Sequence, residues 1–220
     1  MNPAAGKYHG REISETLSDY WRKTASNREG LELANLLKSL RRIVGHLGTN
    51  AGTVEYAGMS YGKGSQILID QGSIMGQYPV PAQKVDILVG LVIHEALHNR
   101  EWSGHVWKTL EPEFGIMSTK ALIGFQKVVS AGEDIYVDST LEGSMFGMYL
   151  AEAQGRAAED MAECIDFTRP SIDALVALWW MTASRIDPPR SCWLHEYRAC
   201  RHVLSALGSM FSSEPIIMSD

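Results

Sequence analysis

Ala82-Gln83-Lys84-Val85-Asp86-Ile87-Leu88-Val89-Gly90-Leu91-Val92-Ile93-His94-Glu95-Ala96-Leu97-His98-Asn99-Arg100 is the stretch on which the fold turns. It follows Pro79-Val80-Pro81 and predicts one long helix from about Ala82 to Trp102. Ile87, Leu88, Val89, Leu91, Val92, Ile93, Ala96 and Leu97 leave almost no polar side to it, and a helix that is apolar all round belongs in the middle of a fold. His94, Glu95 and His98 are therefore costly where they stand unless something satisfies them. Residues four apart lie one above the other on a helix face, so His94 and His98 point the same way while Glu95 occupies the neighbouring face.

Outward from this rod the chain reads as helices around one small sheet. Toward the N-terminus, residues 11–23 and 28–45 carry amphipathic spacing; in the second, Leu31, Leu33, Leu36, Leu37, Leu40 and Ile43-Val44 recur at helical intervals, and Gly45 and Gly48 offer a stop. Between them and the rod, Thr53-Val54-Glu55-Tyr56 and Gln66-Ile67-Leu68-Ile69-Asp70 are the strand candidates, separated by a glycine-bearing stretch that suggests a hairpin. Toward the C-terminus, helices are predicted over about 118–141, 150–165, 170–185 and 190–211, with Pro170 as a helix starter and Pro188-Pro189 as a break. Trp179-Trp180-Met181 and Trp193 read as core or as a seam between helices. The expected fold class is α+β, mostly α. One domain over 1–220 is expected, with N-terminal helices to 50, the sheet and central helices over 51–140, further helices to 211 and a tail over 212–220.

Composition narrows the partners. The chain has 220 residues, 45% of them hydrophobic and 21% charged, which is ordinary globular usage. A net charge of −6 argues against nucleic acid as a partner, because such binders carry a basic face. No segment reaches the roughly 18 apolar residues of a membrane span, and the polar start lacks a signal-peptide core, so the expected address is cytoplasmic with no membrane partner. The three cysteines (Cys164, Cys192 and Cys200) show no C-x-x-C spacing and read as small core residues in a reducing compartment.

His94-Glu95-Ala96-Leu97-His98 is the H-E-x-x-H arrangement of zinc peptidases: two imidazole ligands for Zn2+ and a glutamate that takes a proton from water. In a chain with 7 histidines about 0.02 such matches arise by chance. A hydrolytic zinc site needs a third protein ligand. Gly132-Glu133-Asp134-Ile135-Tyr136-Val137-Asp138 places three carboxylates in six residues of an otherwise apolar helix. Either Glu133 ligates the ion while Asp138 or Asp134 orients a histidine, or Asp134 ligates with Asp138 behind it. His105 in Trp102-Ser103-Gly104-His105 is the other candidate, if Gly104 ends the helix and turns the chain back. Glu95 is expected as the general base, with Tyr136, Tyr149, His195 or His202 as oxyanion donors, and Gln66–Asp70 as an edge for an extended protein or peptide substrate.

With these residues the chain resembles the gluzincin branch of zinc metallopeptidases. More narrowly, it is similar to the metallopeptidase domains of bacteria and phages that often precede a von Willebrand A domain, and to the cobaltochelatase T-type proteins. They share a G-x-x-x-H-E-x-x-H helix, matched from Gly90, and a later helix matched by Glu133, Asp134 and Asp138; the likeness covers about residues 50–140. The resemblance implies a zincin-like domain, a small sheet packed on a central active-site helix, and zinc held by His94, His98 and an acidic residue of the later helix. It departs from thermolysin-type enzymes in lacking their Asn-Glu start to that helix. The rival expectation is a zincin-fold binding or structural protein, such as a phage or accessory protein, that keeps the metal site without turnover.

Overall fold

A computed structural model describes residues 27–57, 61–63, 65–70, 78–169 and 171–187, with 72, 74, 76 and 189 besides. The expected helices over 11–23 and 190–211, with Trp193, His195, His202, Cys192, Cys200 and the tail, lie outside the described residues.

Helix α1 (Asn27–Leu47) buries Leu33, Leu40, Val44 and Leu47, spaced by seven, four and three, along one stripe. It continues through Gly45 and stops at Gly48, whose φ of +144° suits glycine. Two polar ties fix it to strand β1 (Thr53–Ala57): Arg41 Nε donates to the Val54 carbonyl at 2.8 Å, and Tyr56 Oη donates to the Leu33 carbonyl at 2.9 Å. Burial pushes the Tyr56 hydroxyl up to about 12.

The sheet corrects the expected hairpin. Strands β1 and β3 (Gln66–Asp70) run parallel, with Thr53 opposite Gln66 and Ala57 opposite Asp70. Strand β2 (Tyr61–Lys63) pairs antiparallel with β3, which gives the order β1-β3-β2. Gln66–Asp70 is thus the central strand, paired with β1 along its whole length and with β2 over Gln66–Leu68, so it does not offer the free edge expected for an extended partner. Val54, Ile67 and Ile69 turn inward onto the same core as α1.

Helix α2 (Ala82–Arg100) is the rod foreseen, and Leu88, Val89, Gly90, Val92, Ile93, Ala96 and Leu97 are buried in it. Each Leu, Ile or Val so buried contributes about 1.5–3 kcal/mol. The rod ends two residues earlier than its pattern suggests, because Trp102 takes a left-handed φ of 63°. Helix α3 (Ser103–Phe114) then begins at once. This helix was not expected; Gly104 lies inside it and does not end a helix.

Helices α4 (Thr119–Ser139), α5 (Met145–Cys164) and α6 (Ile172–Ala183) follow, each opened by a serine whose side chain accepts a backbone N–H three residues on: Ser118, Ser144 and Ser171. Ser171 caps α6, and Pro170, expected as the helix starter, lies outside the described residues. Cys164, expected in the core, is exposed at the end of α5. Trp179, Trp180 and Met181 are buried with Ile135, Ala158 and Phe167 in a second core built by α4, α5 and α6. The first core holds α1, the sheet and α2, with Val137 of α4 and Leu150 of α5 reaching into it. Helix α5 lies hard against α2: a Cβ on Gly90 would overlap the Tyr149 carbonyl oxygen and stand 2.8 Å from the Ala153 Cβ. The molecule is therefore mostly helical with one small sheet, and α2 and α4 face each other where the two cores meet. No described helix is long and apolar enough to cross a membrane.

Candidate metal centre

The two histidines of α2 stand edge to face, ring centroids 4.6 Å apart, with their Nε2 atoms separated by 3.1 Å. Helix α4 brings Asp134 to the same point: its Oδ1 is 3.1 Å from His98 Nε2 and 3.7 Å from His94 Nε2. Ligand bonds of 2.0–2.2 Å arranged tetrahedrally put neighbouring ligand atoms about 3.3–3.6 Å apart. The three observed separations bracket that range, so the group could hold a metal ion of about zinc's size, and no fourth His, Cys, Asp or Glu among the described residues joins it. Asp134 has 35% of its side chain exposed against 23% and 20% for the histidines, so the cluster opens to solvent on the aspartate's side.

The other nitrogen of each ring is already engaged. His94 Nδ1 donates to Asp138 Oδ1 at 2.8 Å, and Asp138 Oδ2 accepts from Gln154 Nε2 of α5 at 2.8 Å. His98 Nδ1 donates to Ser103 Oγ at 2.9 Å and lies 3.4 Å from Glu133 Oε1. Glu133 also accepts from the Ser103 hydroxyl, and its Oε2 accepts from Trp107 Nε1 at 2.7 Å. A proton committed at Nδ1 leaves the lone pair at Nε2. Two such lone pairs facing each other at 3.1 Å repel unless a cation, either a proton or a metal ion, lies between them.

The electrostatics of the metal-free cluster agree. Burial works against protonating either histidine, yet both are raised: His94 because the Asp138 hydrogen bond and charge outweigh that cost, His98 to about 10 through Asp134 and Glu133. Burial works against the Glu133 carboxylate too, but the hydrogen bonds from His98, Ser103 and Trp107 hold it below its ordinary range. Among the described residues no Lys or Arg forms an ion pair with Glu133, Asp134 or Asp138; their cationic partners are the two histidines. Three carboxylates thus face two imidazoles, an excess of negative charge that suits a bound cation.

Of the two arrangements open in the sequence, the geometry has Asp134 facing the histidines' inner nitrogens with Asp138 behind His94. Glu133 does not converge on the cluster; it stands behind His98. His105 is exposed in the first turn of α3, outside the cluster. Glu95 is half-buried on the flank of α2 next to His94, and among the described residues no hydrogen bond or ion pair engages its carboxylate. Tyr136 is exposed and its hydroxyl donates to Glu101 at 3.4 Å, while Tyr149 packs against the first core. Ser103, Trp107 and Gln154 were missed as site residues. Trp107 lies four residues after Ser103, on the same helix face, and that spacing was the available signal. Gln154 follows Ala153, one of the residues that meet Gly90 of α2, and that neighbourhood was the available signal. No family model, curated protein or solved structure matches the chain.

Proposed function

We propose that this chain is a zinc-dependent metallopeptidase of zincin-like architecture, with His94, His98 and Asp134 as metal ligands and Glu95 as general base. The observation that carries the reading is the convergence of two imidazole Nε2 atoms and one carboxylate oxygen at ligand spacing, with each outer nitrogen backed by a carboxylate. A zinc ion there would lower the pKa of its water to about 7 and polarise the carbonyl of a scissile peptide bond. The protein's own part is to orient and to move protons. Asp138 and Glu133 fix the tautomer of the histidines, and the open side at Asp134 admits a protein or peptide substrate. Glu95, with no described structural partner, accepts the proton of the attacking water and returns it to the leaving amine.

A general base also favours turnover over a purely structural site, which closes its fourth position with protein. Elemental analysis should find close to one zinc per chain, and Glu95→Gln should keep that zinc while losing cleavage of casein or a peptide library. A wild-type chain that neither carries zinc nor takes it up overturns the metal centre. Cleavage unchanged by Glu95→Gln removes Glu95 from the chemistry.

A further inference from the structure

Glu133 and Asp134 are neighbours on α4, and both carboxylates lie within 3.4 Å of a ring nitrogen of His98. Glutamate has the longer arm, so side-chain chemistry alone gives no reason for Asp134 to be the ligand and Glu133 not. What separates them is a hydrogen bond from another helix. Trp107 of α3 donates its indole N–H to Glu133 Oε2 at 2.7 Å, and Gln154 of α5 does the same for Asp138 Oδ2 at 2.8 Å. The indole is a donor only, and the amide presents its N–H here. Both are neutral, so they steer a carboxylate without placing a positive charge beside a cation site.

We propose that Trp107 and Gln154 are positioning residues: they commit Glu133 and Asp138 to the outer nitrogens of His98 and His94, and so reserve Asp134 as the one carboxylate ligand. This rests on the metal reading above. Close packing delivers Gln154 to its place, because α5 meets α2 at Gly90, one turn before His94, through Tyr149 and Ala153. Trp107 is set one turn beyond Ser103, whose hydroxyl is part of the same network. Two helices that supply no ligand thereby decide which ligand is used.

Trp107→Phe and Gln154→Met remove the N–H donors and keep much of the volume. Each should weaken zinc binding about 10–100-fold in competition with a chromophoric chelator, with an unchanged far-ultraviolet circular dichroism spectrum. In the cobalt(II)-loaded protein, Trp107→Phe should also lower the visible absorption, as the released Glu133 joins the ion and raises its coordination number. Adding Glu133→Ala to Trp107→Phe should restore that absorption, a reversal that a merely structural tryptophan would not allow. The variants lie on different helices, so a folding failure in one leaves the other to decide. Tight wild-type binding matched by both variants, or absorption lost and not restored, overturns the assignment alone. A wild-type chain that binds neither zinc nor cobalt overturns the centre itself and this assignment with it.

Discussion

His98 Nδ1 and Nε2 face different partners, and the two sides make different demands. On the outer side the Ser103 hydroxyl and the Glu133 carboxylate orient the ring; on the inner side Asp134 Oδ1 stands 3.1 Å away. Removing an inner partner should therefore cost more than removing an outer one. Asp134→Ala should abolish stoichiometric zinc binding, whereas Glu133→Gln should retain the ion with affinity about 10–100-fold lower, both read by chelator competition. Equal retention by the two variants would show that neither carboxylate is a ligand. The same residues set a pH dependence. His98 rises from 6.5 to about 10 on folding, so in the metal-free chain its stabilisation is complete below about 6.5 and is lost as pH climbs toward 10; His94 is raised too, so its share is lost in the same direction. Glu133 is lowered, so its share is present above 4.5 and is lost as pH falls through its folded value. Urea unfolding of the metal-free protein should accordingly show stability declining from pH 6.5 to 10, by an amount on the order of a few kcal/mol. A flat profile there would contradict the cluster's charge state. Zinc must displace the protons that the histidines hold, so its affinity should rise over the same range.

Helix α2 was legible because its signal is local: apolar on all sides, with three polar residues that demand a purpose. Helix α4 was legible for the same reason, through three carboxylates in an apolar run. What the sequence did not disclose depends on how elements meet. Glu133 and Asp134 differ by about 100° around their helix, so which one faces the histidines depends on how α4 is turned against α2 and on which neighbouring side chains hold each carboxylate. The parallel pairing of β1 with β3 is likewise a long-range choice. Helix α3 was hidden because its start hangs on one left-handed residue, Trp102, and because Pro112 lies inside it. The α2–α5 contact is the exception, being written in Gly90 itself. Gly90→Ala drives a methyl group into the Tyr149 backbone, which cannot give way as a flexible side chain would. The expected cost is about 3 kcal/mol, or a fall of about 6–12 °C in Tm for a chain of this size, measured by thermal unfolding. Gly124→Ala, in α4 with nothing within 4 Å of the new Cβ, is the control. It should gain about 0.5–1 kcal/mol from helix propensity. Similar losses at both sites would mean that glycine is not needed for close approach.

The two hydrophobic cores meet along α2 and α4, and the candidate metal site spans that meeting line: His94 and His98 belong to the helix of the first core, Asp134 to a helix that also builds the second. A cation bound there ties the cores together, and the tie is absent from the unfolded chain. Binding to the folded state alone stabilises it by about 2.7 kcal/mol when free zinc is 100 times Kd, and by about 4.1 kcal/mol at 1,000 times. With about 2–4 °C per kcal/mol, zinc at the higher ratio should raise Tm by about 8–16 °C over the protein kept in a chelator. Calcium, which takes six to eight oxygen ligands, suits a site with two imidazoles poorly and should leave Tm nearly unchanged. If Asp134 is the ligand that links the helices, as proposed, Asp134→Ala should remove the zinc-dependent rise while the chelated variant still unfolds cooperatively. A rise that survives in Asp134→Ala but disappears in His94→Ala would place the bound ion on α2 alone, and the metal would then hold nothing between the two cores.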